Sequence, residues 1–201
     1  MPKVSQAYRD QRRAHILAAA RRCFVRDGFH QTSMQDLVSE AGMSSGAVYR
    51  YFPSKDAMIE AIAEQNLDGV VEVLRESLEN GDSVGAAMAS VLDYVGSRHR
   101  EDGFAAIAVL VWSEALRNPG LSSRLRKSNE AAAKALSERV QSAGENHLAP
   151  GTVAALLLCV LPGYLMQLAI SGPRAVDTIP AVIESMFSTT ATPRSKRRRA
   201  Q

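Results

Sequence analysis

The chain has 201 residues, a 46% hydrophobic fraction with only 5% aromatics, and a formal net charge of +3. That length folds as one or two domains with a proper core, and abundant alanine and leucine favour packed helices over sheet. Two cysteines in apolar stretches, Cys23 and Cys159, speak against a disulfide scaffold and suit a reduced, cytoplasmic protein, as does a basic amino terminus without a signal-peptide core.

The charge is unevenly spread. Residues 1–56 carry +4, residues 57–192 carry −6, and residues 193–201 carry +5. A basic end on an acidic body is the pattern of a protein that presents one end to phosphate.

A first helix is predicted over Asp10–Asp27, with Ile16, Ala20, Cys23 and Phe24 inward and Arg12, Arg13, Arg21, Arg22 and Arg26 outward. Gly28 stops it. A second spans Ser33–Ala41, with Met34, Leu37, Val38 and Ala41 on one stripe. Thr32 or Ser33 caps it, because Gln35 and Asp36 stand three residues later. Gly42 ends it, as the residue that enters a left-handed conformation most cheaply.

Ser44 or Ser45 then caps a helix too short to bury two faces. Val48 and Phe52 form its inner stripe, leaving Ser45, Ala47, Tyr49 and Arg50 outward. Small residues let a helix approach base edges, and arginine can grip guanine with two hydrogen bonds. The segment therefore reads as a helix-turn-helix that binds DNA.

Ser54 caps a long fourth helix, to about Asn80, with Glu60, Glu64, Asp68, Glu72, Glu76 and Glu79 on its solvent side until Gly81-Asp82 breaks it. A fifth runs from Ser83 to Arg98 on Val84, Met88, Val91, Leu92 and Val95. The sixth, Asp102–Arg117, is apolar all round and should be central. Pro119 opens the seventh, which buries Leu121, Leu125, Ala132, Leu136 and Val140 before Gly144. Helices eight (about 150–170) and nine (about 175–188) complete an all-α chain of about nine helices, without repeats or strand-like alternation.

Residues 148–173 contain no Asp, Glu, Lys or Arg. Such a stretch could cross a bilayer. Pro162-Gly163 at its centre, Gln167 and the lack of a second such segment favour a helix buried partly in its own domain and partly against a twin. Pro162 is expected to kink or unwind it.

Thr32, Leu37, Ala41-Gly42-Met43-Ser44, Gly46, Val48-Tyr49 and Tyr51-Phe52-Pro53-Ser54-Lys55 resemble the amino-terminal domain of the TetR/AcrR transcriptional regulators. The resemblance extends upstream through Ile16, Ala20, Phe24, Gly28 and Phe29. It implies a homodimer whose helix-turn-helix domains (here 1–54) read a palindromic double-stranded operator, while a larger domain (55–192) binds a small-molecule effector and dimerises. A basic tail, 193–201, follows, either adding unspecific DNA affinity or serving as a solubilising end. A shorter stretch, Val111-Trp112-Ser113-Glu114-Ala115-Leu116-Arg117-Asn118-Pro119, is similar to the middle of BetI-like carboxy-terminal domains.

By that resemblance Tyr49, Tyr51 and Lys55 touch the DNA backbone, with Tyr51 packing beside Phe52 as the alternative. Base reading falls to Gln35, Ser45, Ala47 and Arg50, with Ser44 in the same turn. Helices eight and nine would form a four-helix bundle between subunits through Val153, Leu157, Leu161, Leu165, Ile179, Val182, Ile183, Met186 and Phe187. A pocket among helices five to eight is assigned to Met88, Tyr94, Trp112, Leu116, Tyr164 and Gln167, each of which could equally be core. Glu114 or Asp93 facing inward would suggest a cationic ligand, with pairing to a nearby arginine as the alternative.

Catalytic patterns are weak. Gly42-Met43-Ser44-Ser45-Gly46 matches the G-x-S-x-G elbow, but a helix precedes it where a strand is required. His15, His30, His99 and His147 have no metal-ligand spacing. Neither an active site nor a cofactor is expected.

Overall fold

Ser5 starts the first helix, accepting the Tyr8 N–H on its side chain, so α1 covers Gln6–Asp27 and begins a turn earlier than expected. The protein is described by a computed structural model covering residues 5–143 and 149–187. The remaining helices are α2 (Met34–Ala41), α3 (Ser45–Tyr51), α4 (Lys55–Glu79), α5 (Val84–Asp102), α6 (Phe104–Ala115), α7 (Pro119–Ala143), α8 (Pro150–Ser171) and α9 (Ile179–Phe187). Among the described residues there is no strand. The expected stop at Gly144, His147 and the basic tail lie outside the described residues.

One apolar cluster joins α1, α2, α3 and the first half of α4 around Phe24, Leu37, Val48 and Phe52, each no more than 1% exposed. It continues into Ile107, Val111, Ala115 and Leu121, so α6 and the start of α7 brace the amino-terminal helices. A second cluster packs α5, α6, α7 and α8 around Leu92, Phe104, Leu136 and Leu157. The central place expected for α6 follows from its packing against α1, α4, α5, α7 and α8.

Several expectations are corrected. Arg21 points inward and is 6% exposed, because α4 and α5 close over that side of α1 with polar partners of their own. Glu60 is half-buried and accepts from Asn118 Nδ2 at 3.0 Å instead of lining the solvent side. α9 begins at Ile179, not near 175: Gly172, at φ 80°, and Pro173 break the chain into a short 3-10 turn, Pro173–Ala175, before a new helix forms. α8 runs on through Pro162, which removes one backbone donor without ending the helix.

α9 lies on α5 at close range. A methyl group built on Gly85 would sit 2.8 Å from Phe187 Cβ and 3.0 Å from the carbonyl oxygens of Ile183 and Glu184. Only glycine permits that approach.

α8 is, among the described residues, the helix long and apolar enough to cross a membrane by length and composition, yet only 33% of its most apolar window is buried within the chain. Its exposed positions fall in one stripe. Leu156, Cys159, Gly163, Met166 and Ile170, spaced alternately three and four apart, all face outward. Val182 and Met186 of α9 are exposed as well. Of the residues expected at a subunit interface, Val153, Leu157, Leu165 and Ile183 are instead buried inside the chain.

Candidate functional site

The helix-turn-helix is assembled by short local devices. Ser33 and Asp36 form a complete capping box: the Asp36 N–H donates to Ser33 Oγ, while the Ser33 N–H and hydroxyl donate to Asp36 Oδ2 at 2.8 and 2.7 Å. Those bonds hold the Asp36 carboxyl below its ordinary pKa. Gly42 turns the chain at φ 60°. His15 Nε2 bonds the Ala41 carbonyl at 2.8 Å and ties the end of α2 to α1. Arg22 and Arg26 of α1 clasp Glu40 on the outside of α2, lowering its pKa.

α3 starts at Ser44, which occupies the cap position without a side-chain bond. Val48 (0% exposed) and Phe52 (1%) anchor it, and Arg13 of α1 stacks on the Phe52 ring at 4.5 Å. Ser45, Tyr49 and Arg50 consequently face solvent, with Ala47 half-exposed; Gln35 is exposed on α2. Tyr51 is half-buried against the first cluster.

A groove lies beside α3, lined by Tyr8, Arg12, Met43, Ser44, Ala47, Arg50 and Tyr51. It holds two arginines and no carboxylate. Tyr8 comes from the extra first turn of α1 and Arg12 from the turn that follows, and Arg12 Nε donates to the Tyr8 hydroxyl at 3.0 Å. Sequence reasoning missed Tyr8, because Gln6-Ala7-Tyr8-Arg9 shows no apolar period. Its one signal was Ser5, a good cap three residues ahead.

Lys55 opens α4 and is anchored within the chain. Its ammonium donates to the carbonyls of Phe29 (2.8 Å) and His30 (3.2 Å) and sits 4.7 Å from the Phe29 ring centre. It fastens the start of α4 to the loop after α1.

The second feature is an interior cavity of about 90 Å³ between α4, α5, α6, α7 and α8. Met88 and Trp112 line it as expected, with Leu74, Val91, Phe104, Leu125, Leu161 and Leu165 among the apolar walls. The other four nominated residues are elsewhere. Leu116 is 88% exposed, since α6 ends one residue earlier. Tyr94 packs its ring edge-on to Phe104 and its hydroxyl against Gly69, while the Tyr164 hydroxyl meets the α5 backbone at Gly96. Gln167 is exposed. Asp93 is exposed too, and Glu114 faces His30, 3.6 Å from its Nε2. Among the described residues, no carboxylate lines the cavity.

Residues 16–62, spanning this helix-turn-helix, match the family model of bacterial regulatory proteins, tetR family. Over almost the whole chain the fold also matches the solved structure of Salmonella enterica GusR: 30% identity, 92% of this chain and 97% of that one, with a TM-score of 0.71. The chain belongs to the TetR family. Family relatives include the HTH-type transcriptional regulator UidR of Escherichia coli K12, 30% identical over 131 residues, or 65% of each chain. An uncharacterized HTH-type transcriptional regulator of Bacillus subtilis 168, YfiR, is 45% identical over 92 residues. That match covers 46% of this chain and only 44% of YfiR. These are DNA-binding regulators and not enzymes, which disposes of the G-x-S-x-G match: Ser44 and Ser45 sit at the entry of a TetR-family α3.

Proposed function

We propose that the protein is a cytoplasmic homodimeric repressor that binds a palindromic operator and is released when a small hydrophobic or amphipathic effector fills the interior cavity. The observation that carries the DNA half is the orientation of α3: two buried side chains, Val48 and Phe52, turn Ser45, Tyr49 and Arg50 outward beside a cationic groove. In this reading Arg50 reads a base. Gln35, Ser44, Ser45 and Ala47 complete the groove contact, and Tyr49, Tyr51 and Arg12 hold the backbone. Lys55 takes part by fixing the amino end of α4.

The division into residues 1–54, 55–192 and a tail belongs to the same reading. The apolar stripe of α8, together with Val182 and Met186 of α9, supports a second copy as the partner on that face. A two-fold pair would then place its α3 helices about one DNA turn apart, roughly 34–36 Å. α4 contributes to both the amino-terminal core and the cavity wall, so it is the element through which a ligand could change that spacing. Ligand binding regulates DNA only if the effector prefers one spacing over the other.

The test is a gel shift on the DNA upstream of the chain's own gene. Arg50→Ala should weaken operator binding by about 1–3 kcal/mol while leaving affinity for random DNA nearly unchanged. Equal losses on both DNAs would remove Arg50 from base reading. Increased transcription from that promoter when the gene is deleted would identify repression; decreased transcription would make the protein an activator.

A further inference from the structure

Asn66 of α4 belongs to two places at once. It lines the interior cavity, and it is 8% exposed. On its other side, Asn66 Oδ1 accepts from Arg21 Nη2 at 2.7 Å. The guanidinium also reaches Gln65 Oε1 at 3.4 Å, and its Nη1 lies 3.7 Å from Asp102 Oδ2, an oxygen shared with Arg98. Guanidinium only donates, so it fixes the amide with its oxygen toward α1 and its N–H₂ on the opposite branch. That nitrogen finds no protein partner although it is buried. The other liners with polar groups are less enclosed: Ser128 of α7 and Trp112 of α6 are half-buried, and Asn129 of α7 is exposed.

A buried N–H without a partner costs free energy until something accepts from it. We therefore propose that the cavity's ligand couples an apolar body to a hydrogen-bond acceptor such as a carbonyl oxygen, that Asn66 Nδ2 binds that acceptor, and that Arg21 positions the amide to do so. This rests on the reading of the cavity as the effector site. Its chemistry favours neutral acceptors over cations, since no carboxylate lines the walls. Asn66 also joins the ligand to α1 through one hydrogen bond, so an occupied cavity bears directly on the helix that supplies Tyr8, Arg12 and Arg13 to the DNA side.

Acetophenone and α-methylstyrene are suitable probes, because they match in shape and differ by a carbonyl oxygen in place of a methylene. Dissociation constants would be measured by ligand-observed NMR on the full chain. Wild type should prefer acetophenone roughly tenfold, the gain expected from satisfying one buried donor. Asn66→Asp keeps a partner for Arg21 but presents only acceptors; it should bind α-methylstyrene within about twofold of wild type and lose the preference. Arg21→Met frees the amide to turn, so the preference should fall below about threefold even where the hydrocarbon still binds. Asn66→Leu provides a second variant should the aspartate variant fold poorly.

Equal binding of both probes by wild type would overturn the proposal and leave the cavity as an unselective apolar site. Binding of neither would remove the cavity reading and the proposal together. An Arg21→Met protein that melts earlier yet keeps the full preference would reduce Arg21 to a structural role and overturn its positioning function.

Discussion

α3 and α8 are opposite cases of how a helix declares its purpose. α3 has seven residues, of which Val48 is buried and Tyr51 is half-buried against the core, and its remaining surface is polar or small. A helix that short has no second apolar stripe, so what is left must face water or a partner. α8 has 22 residues and is apolar almost all round. Its composition says that it should be covered but not by what. Only three-dimensional packing separates the face held by α6 and α7 from the stripe at Leu156, Met166 and Ile170 that no part of the described chain covers. A polar face identifies function in sequence, whereas uniform hydrophobicity conceals it.

The sharpest way to break that contrast is Ile170→Glu. Ile170 is 75% exposed in the single chain, so the substitution should leave each subunit folded. In a two-fold dimer the charge is buried twice, once from each copy, and cannot be paired by its own equivalent. The expected result is a monomer by analytical ultracentrifugation and a loss of operator affinity of roughly a hundredfold or more. A dimer that still binds DNA normally would move the interface off the α8 stripe.

A smaller effect is expected where α9 meets α5. Gly85→Ala places a methyl group against backbone carbonyls that cannot rotate away. Overpacking of this kind costs about 1–3 kcal/mol. Thermal melts should show the loss, and amide exchange should concentrate it in α9, leaving α2 and α3 protected as before. Uniform loss of protection would mean that the two halves unfold as one unit, consistent with Ile107 and Val111 entering the amino-terminal core.

The amino-terminal half was legible because its signals are local. The Ser33–Asp36 box, Gly42, and the Val48–Phe52 stripe each act within four or five residues; the last two are where the sequence placed them, and the box is one of the two caps it left open. The same locality explains the failures. Arg21 stands at a position that α1 alone would leave outside; Gln65, Asn66 and Asp102, far along the chain, make its burial tolerable. The bonds from Lys55 to the carbonyls of Phe29 and His30 were equally illegible, because those carbonyls come within reach only through tertiary packing. In the cavity, none of the six nominated residues was separable from ordinary core in the sequence: Met88 and Trp112 line it, whereas Tyr94 and Tyr164 do not, since an aromatic hydroxyl packed against a glycine-bearing helix looks the same in sequence as one lining a pocket.

The smallest expected effect concerns acid. Asp36 is held below its ordinary pKa first by the Ser33 hydroxyl and then by the Ser33 N–H; Glu40 is held down first by Arg22 and then by Arg26. A carboxylate whose folded pKa is depressed contributes stability that is fully present above its unfolded pKa, about 4, and that disappears as pH falls through the lower folded value. Both groups lie on α2 of the DNA-binding half. Wild type should therefore melt above Ser33→Ala by its widest margin near neutral pH, and the gap should narrow as the solution is taken below about pH 4. It should not close fully, because Ser33 Oγ still accepts the Asp36 N–H when the carboxyl is protonated. A gap constant from neutral to acid would show that the cap acts through that backbone bond alone, and that the charge on Asp36 plays no part in setting α2 at the angle that α3 depends on.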